Sequence, residues 1–181
     1  MLGYGAVWAQ TENPDTKKLS KEERKALREA KKAEEARQKE IVFELNKDIA
    51  NNKSWVIEAH TVFPKGGGSI PMDPTINFVS TREDETTIQL SFNGLVGWNG
   101  VGGITLDGKI SKYEVNESKN AINIRMTAIG PGMGPVDLMA TVDINGNGRV
   151  TVSGNWGERI TFSGNFVSFG NSRIFKGTPT Y

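Results

Sequence analysis

The amino-acid sequence reads as a mostly β protein: an antiparallel up-and-down meander of about eight strands, closed into a small barrel and preceded by one long charged N-terminal helix. Three observations carry that reading. A stretch dense in Lys, Arg, Glu and Ala, with neither Gly nor Pro, runs from Ser20 to Asn52. Beyond it the apolar period switches to two, the signature of strands with one buried face. The connections between these strands are short and turn-like, with no room for a crossover helix, so the pairing is antiparallel. An open two-layer sandwich is the second architecture that fits; closure is preferred because it removes exposed sheet edges.

The 181 residues suit one domain with an appendage. The composition then removes whole chemistries. With no Cys there is no disulfide framework, thiolate metal site or cysteine nucleophile, and a single His rules out a multi-His metal centre. The net charge of +1 lacks the basic footprint of a nucleic-acid binder. The expectation is a non-enzyme with no catalytic residue, no metal, no cofactor and no nucleic-acid partner.

Residues 1–9 are apolar and small and end Ala6-Val7-Trp8-Ala9 before the polar Gln10, which resembles the tail of a secretory signal. The expectation is an exported, periplasmic or extracellular protein, with 10–19 as a flexible linker. No segment approaches the ~20 apolar residues of a membrane span.

The helix is expected over 20–52. Ser20 followed by Glu23 is a capping-box start. Glu22/Lys25, Glu29/Lys32 and Glu34/Arg37 sit three apart and Glu35/Lys39 four apart, so opposite charges meet on the surface. Eight basic and six acidic side chains interleave between residues 21 and 40, the pattern of a solvated face. The first half offers only Ala26, Leu27, Ala30, Ala33 and Ala36 as an apolar stripe, a place where a protein partner could seat. The second half carries Ile41, Val42, Leu45 and Ile49, a docking face for the body.

The barrel is expected over 53–181. Trp55, Ile57, Ala59, Thr61 and Phe63 alternate with Val56, Glu58, His60 and Val62. Alternation recurs through Ile88, Leu90 and Phe92, then Ile122 to Ala128, Val136 to Ile144, Val150 and Val152, and Ile160 and Phe162. Turn residues separate these runs, among them Lys65-Gly66-Gly67-Gly68 and Asn145-Gly146-Asn147-Gly148. Between Ile104 and Val115 the apolar phase shifts, from Ile110 to Tyr113, which implies a bulge.

Several of these stretches resemble a known family. The run Ser20-Lys21-Glu22-Glu23-Arg24-Lys25-Ala26-Leu27-Arg28-Glu29-Ala30, the segment Thr75-Ile76-Asn77-Phe78-Val79-Ser80, Phe92-Asn93-Gly94, Asn99-Gly100-Val101-Gly102-Gly103-Ile104-Thr105-Leu106-Asp107-Gly108 and Phe175-Lys176-Gly177 look like domain-of-unknown-function family 4251. The resemblance implies an exported Bacteroidota protein with a charged lead-in helix and a lipocalin-like β body. It implies no activity and no site residue.

Other motifs reduce to structure. Asp143-Ile144-Asn145-Gly146-Asn147-Gly148 opens like a calcium loop, but Gly154 stands where the bidentate Glu belongs, and Asn-Gly is a favoured hairpin turn. Neither Gly100-Val101-Gly102-Gly103 nor Gly130-Pro131-Gly132-Met133-Gly134-Pro135 completes a phosphate-binding loop. The apolar loop Gly94 to Gly100 suits a plug or a lid at a barrel mouth. His60 falls on the wet face, and Asp73, Asp84, Asp137 and Asp143 sit at turns or outward positions.

The leading functional expectation is a binding module that takes a small apolar ligand on its inner face. Trp55, Phe78, Phe92, Trp98, Met126, Met139 and Phe162 are the large or adaptable candidates. The alternative is a structural or interaction module of the cell envelope that uses helix 20–52.

Overall fold

The protein is described here by a computed structural model, over residues 20–91, 100–154 and 159–180. The leader-like segment 1–9, the linker 10–19, the Gly94 to Asn99 stretch and the side chains of Phe92 and Trp98 lie outside the described residues. The chain divides into two units, residues 1–37 and 38–181.

In the first unit, helix α1 (Lys21–Asn51) begins. Its start is the capping box: Glu23 N donates to Ser20 Oγ at 3.2 Å, and Ser20 N donates to Glu23 Oε2 at 2.7 Å. Ion pairs form between Lys25 and Glu29 at 3.9 Å and between Lys31 and Glu35 at 4.0 Å. These are not the Glu-first pairs the sequence suggests. Long solvated side chains choose among neighbours three and four residues away at little energetic difference.

In the second unit the strands are β1 (Ser54–Pro64), β2 (Ile70–Pro71), β3 (Phe78–Arg82), β4 (Glu85–Ser91), β5 (Gly103–Ser118), β6 (Ala121–Gly130), β7 (Gly134–Asp143), β8 (Asn147–Gly154) and β9 (Arg159–Ser168). Strands β3 to β9 pair antiparallel in chain order. Strand β1 pairs with β3 on one side and β9 on the other, which closes eight strands into a barrel; β2 adds only a short pairing to β1.

Two bulges set which side chains point inward. In β5 the register shifts between Ile110 and Lys112, so Ser111 is the extra residue and the inward phase passes from Leu106 and Ile110 to Tyr113 and Val115. That is the shift expected from the sequence. A second bulge, between Ala59 and Thr61, is not visible in the alternation. It moves the inward phase of β1 from Trp55, Ile57 and Ala59 to Val62, which is buried, where continued alternation would have chosen Thr61 and Phe63. Gly164 lies opposite this bulge, and a Cβ there would stand 1.8 Å from the carbonyl oxygen of Glu58. Only glycine lets the two backbones approach so closely.

The interior cluster includes Trp55, Ile57, Val79, Ile122, Ile124, Met126, Leu138, Val142, Val150, Phe162 and Phe166, all buried. The last turns of α1 close one end of this core: Ala50 is buried in it, and Phe43 and Ile49 pack against it. Lys47 of the same turns pairs with Glu117 at the β5 to β6 hairpin, at 2.9 Å.

Candidate functional site

The barrel interior is the site the sequence nominated, and its two ends differ. At the helix end, Trp55 Nε1 donates to the Tyr113 hydroxyl at 3.0 Å, and that hydroxyl donates to the Ala50 carbonyl at 2.5 Å. The Trp55 and Phe166 rings lie 5.7 Å apart, tilted. Thr81 Oγ1 donates to Met126 Sδ at 3.7 Å, so this buried hydroxyl has a partner as well. Burial pushes the Tyr113 phenol up to about 12, against the opposing bond from Trp55.

At the other end the wall is apolar. Ile88 and Leu90 of β4, Ile104 and Leu106 of β5, Val152 of β8 and Ile160 and Phe162 of β9 line a void of about 30 Å³. Ile104 is 41% exposed there. About one water molecule would fit in such a volume.

The structure brings three of the seven nominated residues into the interior: Trp55, Met126 and Phe162. Phe92 and Trp98 are outside the described residues. Two do not line the inner face. Met139 is 54% exposed, because Leu138 and Ala140 beside it take the inward positions of β7. Phe78 is fully buried but stands opposite Glu58 and Gln89 in the ladders, on the outward side of β3, while its neighbour Val79 takes the inward position.

That outward side shows what the sequence reading missed. Period-two alternation sets Thr87, Gln89 and Ser91 opposite the apolar face of Ile88 and Leu90, yet all three are buried, as is Thr105 on β5. The segment after β9 covers Gln89 and Thr105: Gln89 Nε2 donates to the carbonyl of Phe175 at 2.9 Å, and also to that of Ile76, before β3, at 3.0 Å. Gln89 Oε1 accepts from Thr105 Oγ1 at 3.0 Å and Gly177 N at 2.8 Å. A glutamine amide has two donors and two acceptor sites, so Gln89 is fully satisfied. Ser91 Oγ likewise donates to the Val101 carbonyl. The available signal was the outward face of β4, where Thr87, Gln89 and Ser91 carry no charge and only Glu85, at the exposed start of the strand, does.

The polar groups weighed for catalysis are engaged structurally. His60 is exposed and shares a 3.1 Å hydrogen bond with Thr61. Thr75 donates its hydroxyl and its N–H to Asp73, which holds that carboxyl below the usual range. Asp84 pairs with Lys53 at 2.9 Å, and Asp137 accepts from Thr127 at 2.8 Å. Asp143 accepts from Asn145 N, Asn147 N and Asn147 Nδ2 at 2.8 to 2.9 Å, tying off its turn from within. Gly146, with φ of 83°, supplies the left-handed residue of that turn. Among the described residues no group of three or more acidic, His or Cys side chains could hold a metal ion, and no helix is long and apolar enough to cross a membrane.

Comparison with known proteins agrees with this architecture. A crystal structure of a DUF4251 family protein from Bacteroides eggerthii is similar, with 27% sequence identity and a TM-score of 0.62. The match covers 75% of this chain and 93% of that one. No curated protein matches the chain. The family described as a domain of unknown function, DUF4251, matches residues 35–166, the stretch from the middle of α1 into β9, and the chain belongs to that family.

Proposed function

We propose that this is an exported, non-enzymatic interaction module whose barrel interior is a packed core and whose outer surface and helix do the binding. The observation that carries the reading is the filling of the barrel. Trp55, Met126, Phe162 and their neighbours occupy the interior and leave a void of about 30 Å³. Pockets for small ligands begin near ~300 Å³, ten times larger. The non-enzymatic part is supported by the structural engagement of Asp73, Asp84, Asp137 and Asp143 described above. Export is supported by the apolar run Met1 to Ala9 before Gln10, and Leu27, 61% exposed in a helix of Ala and charge, is where a protein partner would first find apolar contact.

A second reading has its own observation. Among the described residues the lining of this void is apolar, and Ile104 within it is 41% exposed, which suits the tip of a small apolar ligand. Titration of the full chain with the apolar fluorophore 1-anilinonaphthalene-8-sulfonate separates the two. A packed module gives no saturable fluorescence gain under native conditions. Saturable binding that Ile104→Asp abolishes would replace the first reading with the second.

A further inference from the structure

The outer face of β4 and β5, with Glu58 of β1 and Thr75 beside it, is a sheet face already occupied by a peptide, and that peptide is this chain's own residues 172–180. The segment forms no helix or strand of its own. It presents its N–H groups to the wall at every second residue: Arg173 to Glu58 Oε1 at 2.9 Å, Phe175 to the Thr75 carbonyl at 2.7 Å and Gly177 to Gln89 Oε1 at 2.8 Å. Thr180 N then donates to the Thr105 carbonyl at 2.8 Å. Alternate N–H groups on one side are the habit of an extended chain. Side chains are read as well: Lys176 Nζ meets Asp107 Oδ2 at 2.8 Å, Ser172 Oγ donates to Glu58 Oε1 at 2.7 Å, and Thr180 Oγ1 accepts from Thr105 N at 3.3 Å.

The wall is built for this occupant. Gln89 and Thr105 are 0% exposed, and half of the Gln89 bonds go to the segment. Without an occupant, a buried amide would lose two partners, which is costly. The segment is held differently from a core strand. Its bonds are polar, and its one aromatic side chain among the described residues, Phe175, stays 62% exposed. It also lies outside the stretch matched to the family, whereas β3, β4 and β5 lie inside it. It follows β9 through a single 3-10 turn, Phe169–Asn171, with Gly170 exposed.

We propose that this face is a peptide-binding groove with an exchangeable occupant, and that the partner it fits is the same segment of a second copy of this chain. Identical residues in trans find identical bonds, and a short exposed hinge is the element through which copies exchange identical segments. The groove selects an extended peptide whose Lys-Gly step places an ammonium on Asp107 and an N–H on Gln89.

The test uses the whole 181-residue chain with Gly177→Pro, which removes the N–H that Gln89 accepts and so weakens the hold on the resident segment. A fluorescein-labelled synthetic peptide of residues 171–181 is titrated against it and followed by anisotropy. Saturable binding is expected, at least tenfold weaker when Gln89→Leu is added and at least tenfold weaker for a scrambled peptide. Absence of saturable binding to the folded variant overturns the proposal, as does equal binding by the scrambled peptide or by the Gln89→Leu chain. Should either variant fail to fold by circular dichroism, hydrogen exchange on the unaltered chain decides. Exchange of the Phe175, Gly177 and Thr180 amides at least tenfold faster than that of Leu138 and Val150 supports an exchangeable segment; equal rates overturn it.

Discussion

Trp55 and Tyr113 share a 3.0 Å hydrogen bond across the barrel, from the indole N–H to the phenol oxygen. The same hydroxyl donates to the Ala50 carbonyl, near the end of the helix, where backbone acceptors run out of intrahelical partners. One side chain therefore ties β1, β5 and α1 together. It can do so only because the bulge at Ser111 turns Tyr113 inward.

Replacing Tyr113 with Phe removes a partner from Trp55 and from Ala50 while leaving the ring. The expected cost is about 1–3 kcal/mol at neutral pH, since the indole N–H stays buried without an acceptor. The raised phenol pKa adds a pH signature. A folded value of about 12 against an ordinary 10.0 means that the native state holds its proton longer than the unfolded chain. That stabilisation is complete below pH 10 and is lost as pH rises towards 12. Urea melts from pH 9 upward should show the unaltered chain losing stability faster than Tyr113→Phe over that window. Parallel slopes would remove the phenol from the account.

Gly164→Ala should be among the most damaging single changes in the chain. The added Cβ would lie 1.8 Å from the Glu58 carbonyl oxygen and 2.6 Å from its carbon. Backbone atoms on a paired strand cannot swing aside as a side-chain tip can. A loss of at least about 3 kcal/mol, at the upper end of overpacking costs, is expected in chemical denaturation. A variant within experimental error of the parent would mean that the β1 to β9 seam opens at the His60 bulge.

Three of the residues nominated from the sequence should separate by location rather than by chemistry. Phe162→Ala empties the barrel core and Phe78→Ala empties a fully buried position on the outward side of β3, so each should cost about 3–5 kcal/mol. Met139→Ala, on the outer face of β7, should stay within about 0.5 kcal/mol of the parent. A large loss at Met139 would show a covering contact that the chain alone does not provide.

The legible parts of the fold were those that a period could announce. The helix start showed in Ser20 and Glu23, and the β5 bulge showed because apolar residues flank it on both sides, Ile110 before and Tyr113 after. The β1 bulge was silent, because Thr61, Val62 and Phe63 are all plausible inward residues and no phase is violated by reading straight through His60. Phe78, Gln89 and Thr105 were silent for a different reason. Alternation tells which residues share a face, and nothing local tells that a segment nearly ninety positions later, the Gly177 partner of Gln89, will cover that face. The candidate ligand residues suffered from the same limit: size and apolarity nominated Met139, but Leu138 and Ala140 own the inward positions of β7.

Asp143 gives the sharpest test of a motif read as structure. Its carboxylate takes three hydrogen bonds from Asn145 and Asn147. Partial burial works to raise its pKa, but the bonds from Asn147 and Asn145 outweigh it and hold the carboxyl below its ordinary 3.8. A lowered folded pKa contributes stability that is full above the unfolded value and is lost as pH falls through the folded one. Asp143→Ala should therefore cost about 1.5–3 kcal/mol at neutral pH, the range for bonds to a charged acceptor, and the gap to the parent should close in acid below pH 3.8. Asp143→Asn, which keeps one carbonyl acceptor, should fall between them. Because the carboxylate is already occupied by its own turn, added calcium should leave the melting temperature of the parent unchanged. A rise on adding calcium, absent in Asp143→Ala, would mean that the turn opens to a cation after all.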